Sequence, residues 1–122
     1  MKNITLHEHR FGFQQGKKTV VAIPSQIIRL EALSNYTKVY FIHHPPILMA
    51  RVLKSYDKML SPYGFMRTHR THLVNPVYID GLDNQMLRMK DDSHAEISRR
   101  KRKMVLSAFS RNSFHHTQTI LV

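Results

Sequence analysis

Phe65-Met66-Arg67-Thr68-His69-Arg70-Thr71-His72-Leu73-Val74-Asn75 reads as an extended segment in which cationic and imidazole side chains alternate with apolar or hydroxyl ones. Side chains point alternately to the two sides of a strand. Arg67, His69 and Thr71 are therefore expected on one side, and Met66, Thr68 and Arg70 on the other. One side must meet something polar. The chain carries 19 Lys and Arg against 8 Asp and Glu, a formal charge of +11. A polyanion is the partner such a balance favours, and nucleic acid is the first polyanion to consider for an intracellular chain.

Working outward, Ser61-Pro62 and Asn75-Pro76 bracket the segment, and similar turn signals recur at Gln15-Gly16, Pro24-Ser25, Ser34-Asn35, His44-Pro45-Pro46, Asp80-Gly81 and Lys90-Asp91-Asp92-Ser93. Between them lie runs of strand length rich in β-branched and aromatic residues: 19–23, 27–33, 37–43 and 47–52, then 65–72, 77–82, 85–89 and 94–97. The expected class is mainly β. Ile28, Leu30 and Ala32 alternate with Arg29 and Glu31, the pattern of a sheet covered on one side.

Two segments break the strand pattern. Leu53, Tyr56 and Leu60 at i, i+3 and i+7 predict a short amphipathic helix stopped by Ser61-Pro62. A second helix is expected over about 98–110, with Ser98 at the N-cap and i+4 pairs Val105/Phe109 and Met104/Ala108. Arg99, Arg100, Lys101, Arg102 and Lys103 crowd its start, where the helix dipole disfavours cations and exposed N–H groups attract phosphate. A bound anion relieves that conflict.

With 122 residues, 42% of them hydrophobic and 22% charged, the chain suits one folded domain rather than a disordered one. Its core is expected at about 19–110, with 1–10 and 111–122 flexible. No cysteine is present, which excludes disulfides and thiolate metal sites and fits a reducing cytoplasm. Met1–Arg10 is polar, unlike a secretory signal. No run approaches the roughly 18 apolar residues of a membrane span.

Three pieces in order, Ile27-Ile28-Arg29-Leu30-Glu31-Ala32 with Asn35-Tyr36-Thr37, then Arg67-Thr68-His69-Arg70-Thr71-His72-Leu73-Val74-Asn75, then Ile97-Ser98-Arg99-Arg100, resemble the LytTR family of bacterial DNA-binding domains. The resemblance runs from about Val20 to Phe109. It implies an elongated antiparallel β-sheet fold with one short internal helix and a C-terminal helix, whose loops enter successive major grooves. Such domains usually serve as output halves of two-component response regulators. It also implies a contact set. Asn35, Tyr36, Thr37 and Lys38 would enter one groove, Arg70 and Thr71 would lie beside it, Arg99 would reach a base edge, and Arg100, Lys101 and Lys103 would hold phosphates.

Arg can bind guanine through two parallel hydrogen bonds whereas Lys acts as a point charge, which makes Arg70 and Arg99 the expected base readers. The expected partners are double-stranded promoter DNA, a second copy on an adjacent site and RNA polymerase, with no membrane and no cofactor. The chain departs from the family at His72 and Thr71, and at His44-Pro45-Pro46 in place of a tighter hairpin turn. No receiver domain accompanies it, so the resemblance fits either a free-standing output domain or part of a longer regulator.

Three other classes are weaker. The 9 histidines invite a metal, but His69 and His72, taken on one strand, would face opposite sides, so no metal site is expected. A nuclease needs a convergent acid-base pair or a carboxylate cluster for Mg²⁺, and neither is visible, so no enzyme is expected. An RNA-binding or ribosome-associated basic β protein is the alternative, yet Tyr36 is the lone aromatic in an expected contact loop where such modules display several.

Overall fold

The computed structural model describes residues 9–83 and 85–110. In chain order its strands are β1 (Phe11–Gln15), β2 (Lys18–Ala22), β3 (Ile27–Leu33), β4 (Tyr36–Phe41), β5 (Ile47–Met49), β6 (Met66–His69), β7 (His72–Val74), β8 (Ile79–Asp83), β9 (Met86–Met89) and β10 (His94–Glu96). Helix α1 (Leu53–Leu60) joins β5 to β6, and α2 occupies 102–110. The class is mainly β, as expected. Apart from His9 and Arg10, the two terminal segments expected to be flexible lie outside the described residues.

A five-stranded antiparallel sheet, ordered β5-β4-β3-β7-β6, has a separate layer against each face. On one face the β1–β2 hairpin and α1 bury Phe13, Leu53, Tyr56 and Leu60 against Leu30, Val39, Phe41, Ile47 and Leu73. On the other, the β10-β9-β8 sheet and α2 bury Leu87, Met89, Ala95 and Val105 against Ile28 and Val74. Leu73 and Val74 are neighbours on β7 yet belong to different cores, as strand alternation requires. The sheet is covered on both sides, not one.

The β3 alternation also shifts. A bulge between Ile27 and Arg29 inserts an extra residue, so Ile28 enters the second core while Leu30 enters the first. Arg29, expected on an open face, is only 6% exposed. Its guanidinium lies 3.9 Å from the Tyr40 ring centroid, and its Nε donates to Ser93 Oγ at 2.9 Å. That latch ties the sheet to the β9–β10 loop.

The largest departure from the sequence reading falls in Phe65–Asn75. It is not one strand but a hairpin, β6 and β7 folding back through Arg70 and Thr71 so that His69 faces His72. Nothing at the turn announces it. Gly, Asn, Asp and Pro are missing there, and the left-handed non-glycine residues among those described are Ser34 and Asp92. A bulge between Arg67 and His69 adjusts the register instead. Arg67 clamps the turn from inside: Nε donates to His69 O at 3.1 Å, Nη2 to Arg70 O at 2.7 Å, and Nη1 to Asp57 Oδ2 at 3.4 Å.

Asn75 ends the stretch with a structural task. Its buried Nδ2 donates to Ile27 O at 3.0 Å and its Oδ1 accepts from Val77 N at 3.2 Å, fixing the exit of β7 beside the β3 bulge. The strand expected at 77–82 starts at Ile79, because Pro76–Tyr78 forms a 3-10 turn. Strand β1, lacking strong pattern in the sequence, completes the first core through Phe13. No helix of the described residues is long and apolar enough to cross a membrane.

Candidate nucleic-acid interface

The β3–β7 register sets what lies at one end of the sheet. Glu31 pairs with His72, and Ala32 N donates to Thr71 O at 2.9 Å, so the Ser34-Asn35 tip of the β3–β4 hairpin and the Arg70-Thr71 turn emerge side by side. The start of α2 arrives at the same turn by another route. Thr68 Oγ1 donates to Glu96 O at 2.8 Å and Ser98 N to Thr68 O at 2.8 Å, which lays 96–98 along the edge strand β6. Tip, turn and helix start are thus brought to one end of the fold.

Helix α2 itself begins at 102, later than expected, and Arg99–Lys101 form a turn in front of it. Ser98 acts as the cap, its Oγ accepting from Lys101 N at 3.2 Å. Between this turn and the β6–β7 turn lies an open cavity of about 490 Å³, into which Arg70, Arg100, Lys101 and Ser98 face from two elements. Asp57, Arg67 and His69 complete its wall. Arg67 is occupied with Asp57 and the turn carbonyls, whereas Arg70, Arg100 and Lys101 form no ion pair among the described residues. A phosphate or a base edge is the kind of group such a cavity suits.

The expected contact residues divide. Asn35, Tyr36, Arg70, Arg99, Arg100 and Lys103 are exposed, and Lys38 is half-buried with its ammonium 5.4 Å from the Tyr40 ring centroid. Arg99 does not line the cavity that Arg70 shares with Arg100. Thr37 is a correction. It is fully buried and donates from Oγ1 to Arg51 O at 2.6 Å, which removes it from any contact surface. Thr71 is half-buried and engaged by its neighbours: its Oγ1 is 2.7 Å from His69 Nδ1, 3.0 Å from His72 Nδ1 and 3.3 Å from Glu96 Oε1.

His72 is buried beneath this turn, and its pKa is lowered to about 4, first by burial and then by the Arg29 charge, with Glu31 and Glu96 opposing. It is neutral at neutral pH. Its approaches to Glu31 at 3.9 Å and Glu96 at 3.8 Å are therefore contacts of a neutral ring rather than charged pairs.

Sequence reasoning missed the cavity wall formed by Asp57 and the role of Glu96, because both reach the turn through pairings distant in sequence. It also set His69 and His72 on opposite sides of one strand. The hairpin instead pairs them across its two strands, with ring centroids 6.2 Å apart and ring planes at 72°.

A sequence profile of the LytTr DNA-binding domain matches residues 17–110. Comparison with curated proteins found no match. A solved LytTr DNA-binding domain from Bacillus cereus, described as part of a methyl-accepting/DNA response regulator, has the same fold at a TM-score of 0.69. Sequence identity is 17%, over 81% of this chain and 94% of that one.

Proposed function

The chain belongs to the LytTr DNA-binding domain family, and from that premise we propose a transcription regulator that reads specific duplex sequences with the sheet end carrying Arg70, Arg100 and Lys101. The observation that carries this reading is the shared cavity. Two elements remote in sequence contribute unpaired cations to one concave surface, next to an exposed polar hairpin tip. A duplex presents phosphates and base edges together, so a surface built from a turn, a tip and a helix start can touch both at once.

Arg70 and Arg100 take the base-reading role here, because they face one space and each can make a bidentate contact with guanine. Arg99, exposed outside the cavity, and Lys103, farther along α2, suit the backbone. Asn35, Tyr36 and Lys38 contact the neighbouring stretch of groove. Several phosphate contacts make binding fall steeply with salt. Copies bind paired sites on one side of the promoter, spaced by about 10 bp or a multiple of it.

Selection from a random duplex pool tests this reading. The expected product is a short motif recurring at that helical spacing. Recovery of no motif, with single-stranded RNA competing as well as duplex DNA, would defeat it in favour of general polyanion binding.

A further inference from the structure

We propose that His69, His72 and Glu96 form a binding site for a divalent transition metal ion of the zinc type, set at the base of the β6–β7 turn. The site is defined by protein groups alone and does not depend on the DNA reading. His69 ends β6, His72 begins β7 and Glu96 ends β10. Each strand is held by backbone bonds, and the Thr68–Glu96 and Ser98–Thr68 bonds fix β10 to β6. The three strand ends that carry the ligands are thus held together before any ion arrives.

One ligand atom from each residue lies within 4.8 Å of the other two. Glu96 Oε1 is 3.9 Å from His69 Nδ1 and 3.8 Å from His72 Nδ1. A tetrahedral ion with bonds of about 2.0–2.2 Å separates its ligands by about 3.3–3.6 Å, so a contraction of a few tenths of an ångström closes the Glu96 arms. Two imidazoles and a carboxylate are a donor set that borderline divalent ions accept, with a further position left for water on the exposed Glu96 side. Behind His72, Glu31 Oε2 lies 3.9 Å from Nε2, and closing to hydrogen-bond distance would let that carboxylate orient a ligating ring.

Thr71 N donates to His69 Nδ1 at 3.1 Å, which identifies that nitrogen as a lone-pair acceptor. Thr71 Oγ1 sits among the three ligand atoms, 2.7 Å from His69 Nδ1, 3.0 Å from His72 Nδ1 and 3.3 Å from Glu96 Oε1. The ion replaces the Thr71 hydroxyl at the centre of the cluster and takes the His69 Nδ1 lone pair from Thr71 N. Occupation therefore requires the Thr71 side chain to rotate, in the residue next to Arg70.

The test titrates Co²⁺ and Zn²⁺ into the full chain without DNA, following the cobalt visible absorption and the thermal midpoint. Glu96→Gln and His69→Gln are the variants, because both side chains are accessible enough to change without emptying the core, and circular dichroism checks their fold. The expected result is saturable binding of one ion per chain at the site, weakened at least about ten-fold in each variant. Absence of saturable binding would overturn the proposal. So would unchanged affinity in either variant, which would place the ion on other histidines of the chain.

Discussion

The β6–β7 turn and the β3–β4 tip stand side by side at one end of the sheet, yet they are held by opposite means. At the tip, Ser34 takes a left-handed φ of 57°, and Leu33 and Tyr36, which flank the loop, are 42% and 47% exposed. No side-chain hydrogen bond holds Ser34 or Asn35 among the described residues. At the turn, Arg70 and Thr71 have no special backbone conformation, and the shape is imposed by Arg67 from within and by His69, His72 and Glu96 from below. One hairpin is specified locally and the other by its surroundings. A tip of the first kind can adapt to a ligand, whereas a turn of the second kind presents Arg70 in a fixed place.

The largest effect expected from this contrast is a pH dependence of stability seated under the turn. The folded pKa of His72, about 4, lies below its ordinary 6.5. Below pH 6.5 the unfolded chain gains a proton that the folded chain refuses, so the full stability is present above that pH and is lost as pH falls towards 4. Linkage sets the His72 share at about 3 kcal/mol. Urea melts with chelator present should show His72→Gln flattening this part of the profile, and parallel profiles for the two proteins would break the account.

Arg67→Ala comes next. It removes hydrogen bonds to two turn carbonyls and the Asp57 partner, and a loss of about 2 kcal/mol in urea denaturation is expected. Arg67→Lys should recover less than half, since an ammonium cannot serve both carbonyls through one planar fork. The tip should barely respond. Asn35→Ala should change stability by about 0.5 kcal/mol or less, and Ser34→Gly should raise it by a similar amount, because glycine accepts the left-handed conformation without penalty. Equal losses at tip and turn would erase the distinction.

The same contrast explains what the sequence made legible. Ser34-Asn35 was readable as a turn because those residue types favour turns through their own chemistry. Helix α1 was readable because Leu53, Tyr56 and Leu60 recur at helical spacing and are the residues it buries. The Arg70-Thr71 turn was not. Its cause is Arg67 reaching forward to two carbonyls, and no local pattern records that a charged side chain points inward. The burial of Thr37 was hidden for a similar reason, since its partner is a carbonyl 14 residues away. The clustering of cations at 99–103 was plain, but only the cap at Ser98 and its bond to Thr68 show that Arg100, not Arg99, shares a cavity with Arg70.

The central claim is that turn and helix start act as one reading surface. A double-mutant cycle tests it most directly: Arg70→Ala, Arg100→Ala and the double variant, each titrated against a selected duplex and a scrambled one at fixed salt. Each single change should cost about 1–3 kcal/mol on the selected duplex and less on the scrambled one. The pair should be non-additive by more than about 0.5 kcal/mol. Additive losses of equal size on both duplexes would contradict the claim, leaving two independent cations that attract any polyanion.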